Sequence, residues 1–162
     1  MIEILILSII QGITEFLPVS SSSHLILISE YFDFKNQSLS VDVSLHVGSF
    51  LAVIFYFYKD IINFYKKKIL FFKILISSIP IMVIGFFLVE TNYIEKIRNI
   101  ETIAWTTVIF GILLYISDQF ELEKNIQNNF SFKAAILIGI LQVFSLVPGV
   151  SRSGIALTAA RI

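Results

Sequence analysis

Long apolar stretches make up most of the chain, and polar residues interrupt them at only a few places. Residues 41–58, 69–89 and 102–116 predict membrane-spanning helices, since a span needs about 20 predominantly apolar residues. Shorter apolar stretches at residues 1–13 and 133–147 each run into a proline, with serines close behind it. The pattern therefore predicts an all-α polytopic membrane protein with two broken segments and about three spanning helices.

The first broken segment covers residues 1–31. Pro18 ends its first helix, and the serines that follow are suited to N-cap a second helix that starts near Ser21 and carries His24 in its first turn. Two short apolar helices joined at a polar break predict a re-entrant hairpin, which enters and leaves the membrane on one side. A single bent spanning helix is the alternative.

The second broken segment covers residues 133–162 and repeats this design. Its first helix ends at Pro148, Ser151 is placed to N-cap the next helix, and Arg152 and Ser153 fall in the first turn. Because an odd number of predicted spans separates the two hairpins, they enter from opposite sides of the membrane. Re-entrant hairpins in such inverted-topology repeats place their breaks together near the midplane.

Composition and charge support the membrane assignment. Hydrophobic residues are 56% and charged residues 15% of the 162 residues, whereas a soluble domain has about 25% charged residues. The net charge is zero, which gives no indication of a nucleic-acid partner, and the absence of cysteine excludes thiolate metal sites. Lysines at residues 59–73 predict a cytoplasmic loop, and residues 90–101 an external one. Residues 1–162 are read as one integral membrane domain.

Charged residues at membrane depth mark a candidate site. Glu15 shares one helix face with Ser8 and Gln11, and Arg152 lies at the second break. A charged residue at membrane depth is by itself a reason to expect a functional site. A guanidinium beside hydroxyls and free N–H groups matches the geometry of a bound phosphate. The alternative is a purely structural ion pair between Glu15 and Arg152. A phosphate site reached from lipid predicts a lipid phosphate as substrate.

A histidine near the start of the first span is harder to interpret. Asp42 and His46 are four residues apart, on one face of the predicted helix. A single histidine at a helix end is typical of an interfacial residue with satisfied hydrogen bonds. The sequence alone therefore favours the interfacial interpretation of His46 over a functional one.

Two motifs resemble those of the undecaprenyl-diphosphate phosphatases, also called bacitracin-resistance proteins. The first motif joins Gln11 and Glu15 to the run Pro18-Val-Ser-Ser-Ser-Ser-His24, and the second runs from Pro148 to Gly154. The resemblance implies hydrolysis of a polyprenyl diphosphate lipid to the monophosphate. It also implies recycling of the carrier for bacterial peptidoglycan synthesis at the inner membrane. A divalent metal ion, Mg²⁺ or Ca²⁺, is implied as cofactor.

The resemblance also implies roles for individual residues. Glu15, Ser21, His24 and Arg152 are the expected catalytic residues, with Glu15 also a metal ligand. Either Ser21 attacks the terminal phosphorus with His24 as base, or His24 activates water. The expected substrate-binding residues are Gln11, Ser20, Ser22, Gly149, Ser151 and Ser153.

Two features depart from the family pattern. Ser23 stands where the family has a glycine before the histidine, and family members continue beyond the second motif with further spanning helices. The chain is therefore expected to be the N-terminal part of a family-length protein, with low activity unless it forms a homo-oligomer. A transporter or flippase of polyprenyl phosphates is the alternative function, since inverted hairpins are transporter architecture.

Overall fold

The computed structural model describes residues 2–35, 37–119 and 130–161, and all regular secondary structure in these ranges is helical. Ile162, the last residue of the predicted second hairpin, lies outside the described residues. The helices are α1 Ile2–Thr14, α2 Ser21–Tyr31, α3 Leu39–Tyr56, α4 Tyr58–Lys66, α5 Lys68–Glu90, α6 Tyr93–Ile97, α7 Ile100–Asp118, α8 Phe132–Gln142, extended by a 3₁₀ turn at Val143–Leu146, and α9 Arg152–Arg161.

Helices α3, α5 and α7 are long and apolar enough to cross a membrane. They coincide with the three predicted spans to within two residues at each end. Two of them have conventional N-caps, because Ser38 accepts a hydrogen bond from the Val41 amide and Asn99 accepts one from the Thr102 amide. Large apolar side chains cover their outer surfaces. The prediction of an all-α, multi-pass membrane protein is thus confirmed.

The two broken segments are also found where the sequence predicts them. Helices α1 and α2 have 13 and 11 residues, and α8 and α9 have 11 and 10. At about 1.5 Å per residue, none of them reaches across the roughly 30 Å hydrocarbon core. The short helices fit re-entrant hairpins. Their re-entrant path through a bilayer stays a prediction.

Close helix packing brings the second broken segment against the spans. Helix α8 packs on α5, and α9 packs on α7 and α8. A Cβ at Gly139 would lie 2.4 Å from the Ser77 carbonyl oxygen, so the backbones of α8 and α5 touch at this point. The first segment is held by contacts of α1 with α3 and of α2 with α7. Helix α7 therefore contacts both broken segments and aligns their breaks.

Two short helices lie in the connecting loops, which the sequence assigns to the two sides of the membrane from their charge alone. Helix α4 carries Lys59 and Lys66 of the expected cytoplasmic loop, and α6 lies in the expected external loop. Both are short and polar, and neither has a buried residue. They connect the spans without adding to the core.

Candidate active site

The two helix breaks touch each other directly. The Gly149 amide donates a hydrogen bond of 3.2 Å to the Ser20 hydroxyl. The Ser153 hydroxyl donates one of 3.3 Å to the Leu17 carbonyl oxygen. These bonds join residues far apart in the sequence, so the polar turn of each segment satisfies backbone groups of the other. The expectation that the two breaks meet agrees with this geometry.

Gly149 makes this contact possible. Its φ is +99°, and a Cβ at this position would lie 1.8 Å from the Thr106 hydroxyl oxygen. That hydroxyl donates a 2.6 Å hydrogen bond to the Pro148 carbonyl oxygen. A side chain at this position would therefore strain the backbone and displace α7. Gly149 shapes the site, and its amide hydrogen already bonds to Ser20.

A hydrogen-bonded cluster surrounds the Glu15 carboxylate. The Ser21 hydroxyl donates to Oε2 of Glu15 over 2.8 Å. The side-chain amide of Gln11, only 1% exposed, donates to the same oxygen over 2.9 Å. Gln11, expected to bind substrate, thus orients the carboxylate from a buried position and does not line the cavities that Glu15 borders. The proton of the Ser21 hydroxyl therefore already has an acceptor, Oε2 of Glu15.

His46 completes this cluster, although the sequence alone favours an interfacial interpretation of this residue. Its Nε2 lies 3.4 Å from the Ser21 hydroxyl oxygen and 3.5 Å from Oε2 of Glu15. Its Nδ1 lies 2.8 Å from the Asp42 carbonyl oxygen, one turn earlier on α3. The four-residue spacing of Asp42 and His46 was the available signal. It did not show which way α3 is rotated.

A buried ion pair anchors the start of α3. Asp42 is 3% exposed, and its carboxylate forms an ion pair with the Arg98 guanidinium. The Gln37 side-chain amide donates to both carboxylate oxygens, over 3.3 and 3.2 Å. Asp42, which lies one turn before His46 on α3, is therefore fixed by two partners from outside this helix.

Two adjoining cavities open at the breaks. The first, here called the serine cavity, has a volume of about 260 Å³, and Glu15, Ser21 and Arg152 border it. The second, the wide cavity, has a volume of about 550 Å³, and Glu15 and Arg152 border it as well. The expected substrate-binding hydroxyls lie here, with Ser20 and Ser22 on both cavities and Ser151 and Ser153 on the serine cavity.

Arg152 and the serines beside it form the other wall of the site. Helix α9 begins at Arg152, and the Ser151 hydroxyl caps it by accepting a 3.2 Å hydrogen bond from the Gly154 amide. Within the described residues, no ion pair links Arg152 to Glu15, whose basic neighbour is His46. The purely structural Glu15–Arg152 pair is therefore not formed, and the exposed guanidinium faces cavities suited to an anion.

His24 lies on a different cavity. Its Nδ1 is 2.7 Å from the Ser20 carbonyl oxygen on the preceding turn. It borders a third cavity of about 430 Å³, here called the His24 cavity, together with Gly149 and Ser151. Among the described residues, His24 is not part of the lining of the serine or wide cavity. The imidazole beside Ser21 is that of His46.

The donor set near Glu15 is compatible with a hard divalent cation. Mg²⁺ is commonly held by one or two carboxylates together with substrate phosphates. The Glu15 side chain is one-third exposed, at 33%, and serine hydroxyls surround it. The described residues hold no group of three or more His, Cys, Asp or Glu side chains suited to a metal. A metal bound at Glu15 would take its remaining ligands from substrate phosphate oxygens, hydroxyls or water.

Comparisons with known proteins match nearly the whole chain. The family described as "Bacitracin resistance protein BacA" matches residues 4–162. The chain is 47% identical over 162 residues to an undecaprenyl-diphosphatase of Pelagibacter ubique (strain HTCC1062), covering 99% of the chain and 63% of the relative. It is 42% identical over 172 residues to an undecaprenyl-diphosphatase of Hahella chejuensis (strain KCTC 2396), covering 98% of the chain and 64% of the relative. The chain thus spans less than two thirds of these relatives' length.

Proposed function

The chain belongs to the bacitracin resistance protein BacA family, and we propose that it hydrolyses undecaprenyl diphosphate to undecaprenyl phosphate and inorganic phosphate. The proposal includes recycling of the lipid carrier for cell-wall synthesis and a place in the bacterial inner membrane. The observation that carries it is the meeting of the two helix breaks. It brings Ser21, Glu15 and Arg152 to the border of one cavity.

The wide cavity suits a lipid with a phosphorylated end. Val43, Val47 and Phe50 line it from α3, and all three are at least half exposed. Their spacing of four and three residues makes one continuous apolar stripe along the helix. Glu15 and Arg152 border the same cavity. A polyprenyl chain on the stripe would thus present its diphosphate to the charged residues.

The second broken segment supplies the anion-binding groups. The Arg152 guanidinium can form two parallel hydrogen bonds to phosphate oxygens. The N-terminus of α9 adds a partial positive charge and backbone N–H groups beside it. The hydroxyls of Ser151 and Ser153, 3.1 Å apart, lie in the same turn. Together these groups would bind and orient the diphosphate.

The first broken segment supplies the reacting hydroxyl. In the proposed reaction, Ser21 Oγ forms a bond to the terminal phosphorus as its proton passes to Oε2 of Glu15, its present hydrogen-bond acceptor. The bond from this phosphorus to the bridging oxygen breaks, and undecaprenyl phosphate leaves. Water then hydrolyses the phosphoserine to inorganic phosphate and regenerates Ser21. A divalent cation held by Glu15 and the phosphate oxygens would neutralise negative charge.

Phosphate release by the purified chain in detergent tests this proposal. A transporter or flippase of polyprenyl phosphates releases no inorganic phosphate, so the assay separates the two functions. Ser21→Ala should abolish release, whereas Ser44→Ala, on the exposed side of α3, should not change it. Acid quenching during turnover should trap phosphoserine at position 21. Full activity of Ser21→Ala would overturn the assignment of the nucleophile and favour direct attack by water.

Assembly and cofactor are further parts of the proposal. Activity should require Mg²⁺ or Ca²⁺, which EDTA treatment followed by addition of either ion would measure. Activity that is unchanged by EDTA would contradict the metal requirement. Formation of a homo-oligomer is proposed from the sequence expectation alone. Light scattering on the purified protein in detergent would measure it.

A further inference from the structure

His46 approaches the reacting groups from an element outside both broken segments. It lies 25 positions after Ser21 in the chain, on the continuous spanning helix α3. Its Nε2 faces both the Ser21 hydroxyl and the Glu15 carboxylate, at 3.4 and 3.5 Å. Ser21 and Glu15 flank the irregular turn of the first break. A continuous helix is more rigid than that turn, so a residue on α3 can fix the positions of Ser21 and Glu15.

The His46 ring has a defined orientation. The Asp42 carbonyl oxygen can only accept a hydrogen bond, so the 2.8 Å contact places a proton on Nδ1. Nε2 is consequently the nitrogen that faces the site. The backbone that supplies this carbonyl is itself fixed, because the Asp42 side chain pairs with Arg98. The ring therefore has little freedom to turn away from Ser21.

We propose that His46 is a positioning residue for the nucleophile, a role that rests on the proposed function. Its Nε2 lies against the Ser21 hydroxyl and the Glu15 carboxylate at the border of the serine cavity and restricts the positions of both groups. His24 does not do this, because it borders the His24 cavity and not the serine or wide cavity. His46 also borders the serine and wide cavities. Its close polar contacts are with Ser21 and Glu15, so its loss should slow turnover far more than it weakens substrate binding.

Kinetics on three variants of α3 test this role. His46→Ala should lower kcat about a hundredfold, since a misplacement of about 1 Å can cost that factor, with KM nearly unchanged. His46→Gln should recover most of kcat, because a side-chain amide at similar reach can contact Ser21 and donate to the Glu15 carboxylate. Ser44→Ala, on the exposed side of the same helix, should match the wild type.

The kinetic outcomes separate the positioning role of His46 from the proposed phosphatase function. A wild-type chain that releases no phosphate even as a homo-oligomer overturns the proposed function. An active wild type with an equally active His46→Ala overturns the positioning role and leaves the function intact. His46→Gln as slow as His46→Ala also overturns positioning, because the amide preserves hydrogen bonding but cannot carry a proton at neutral pH.

Cross-linking tests the placement of His46 without any turnover. The chain contains no cysteine, so the double variant Ser21→Cys/His46→Cys has a unique thiol pair. The shortest bifunctional methanethiosulfonate reagent should join this pair in the intact chain. It should not join the matched pair Ser21→Cys/Ser44→Cys, because position 44 is exposed on the helix. Equal cross-linking of both pairs, or none of the first, overturns the placement.

Discussion

Replacement of Arg98 by methionine should destabilise the protein far more than loss of a surface ion pair. Asp42 and Arg98 form an ion pair with only 4% and 13% of their side chains exposed. Arg98→Met keeps a long apolar stem but leaves the Asp42 carboxylate buried without its counter-charge. Removal of one partner of a buried pair typically costs about 3–5 kcal/mol.

The structure places the expected loss at the lower end of that range. The Gln37 amide nitrogen lies 3.3 and 3.2 Å from the two oxygens of Asp42, so the carboxylate keeps one hydrogen-bond donor. A loss of about 3 kcal/mol corresponds to a Tm lower by roughly 6–12 °C for a chain of this length. The Arg161–Asp118 pair is a matched control, since the Asp118 side chain is 60% exposed. Asp118→Asn should cost less than about 1 kcal/mol.

Far-UV circular dichroism of the purified proteins in detergent would measure both melting temperatures. The double variant Asp42→Asn/Arg98→Met should melt above Arg98→Met alone, because it leaves no buried charge unpaired. An Arg98→Met protein that melts no lower than Asp118→Asn would refute the reasoning. It would mean that the Asp42 carboxylate is solvated or neutral without Arg98.

Three further predictions concern the breaks and the topology. Arg152→Lys should lower kcat/KM about ten- to a hundredfold despite the retained charge, because an ammonium cannot make the paired contact to phosphate; unchanged phosphate release would contradict this. Gly149→Ala should lower the Tm, whereas Gly48→Ala, where an added Cβ meets nothing within 4 Å, should not; equal melting would show that the breaks adjust. Single cysteines at Lys67 and Glu95 should react with membrane-impermeant reagents from opposite sides, and labelling from one side would end the inverted-repeat interpretation.

Local sequence signals were sufficient for the spanning helices and the places of the two breaks. They were wrong in detail at the first break, because α1 already ends at Thr14, before Pro18, and Ser20 precedes α2 without a side-chain cap hydrogen bond. The apolar stretches predicted α3, α5 and α7 because a helix that crosses lipid must satisfy its own backbone and expose apolar side chains. The cap at Ser151 followed from the sequence as well, since such signals act within a few residues. The motifs at the two breaks also indicated which residues belong together in one site. Glu15 and Arg152 border the same cavities, as that reasoning expects.

Only the tertiary structure showed which imidazole faces Ser21. His24 and Ser21 share a motif, but the His24 ring bonds back to its own helix and borders a different cavity. His46 reaches Ser21 because α3 is rotated so that this residue, and not its apolar neighbours, faces the first break. Apolar residues occupy most faces of α3, so its hydrophobic pattern does not define one inward side. The rotation is decided by contacts between distant parts of the chain, among them the pairing of Asp42 with Arg98.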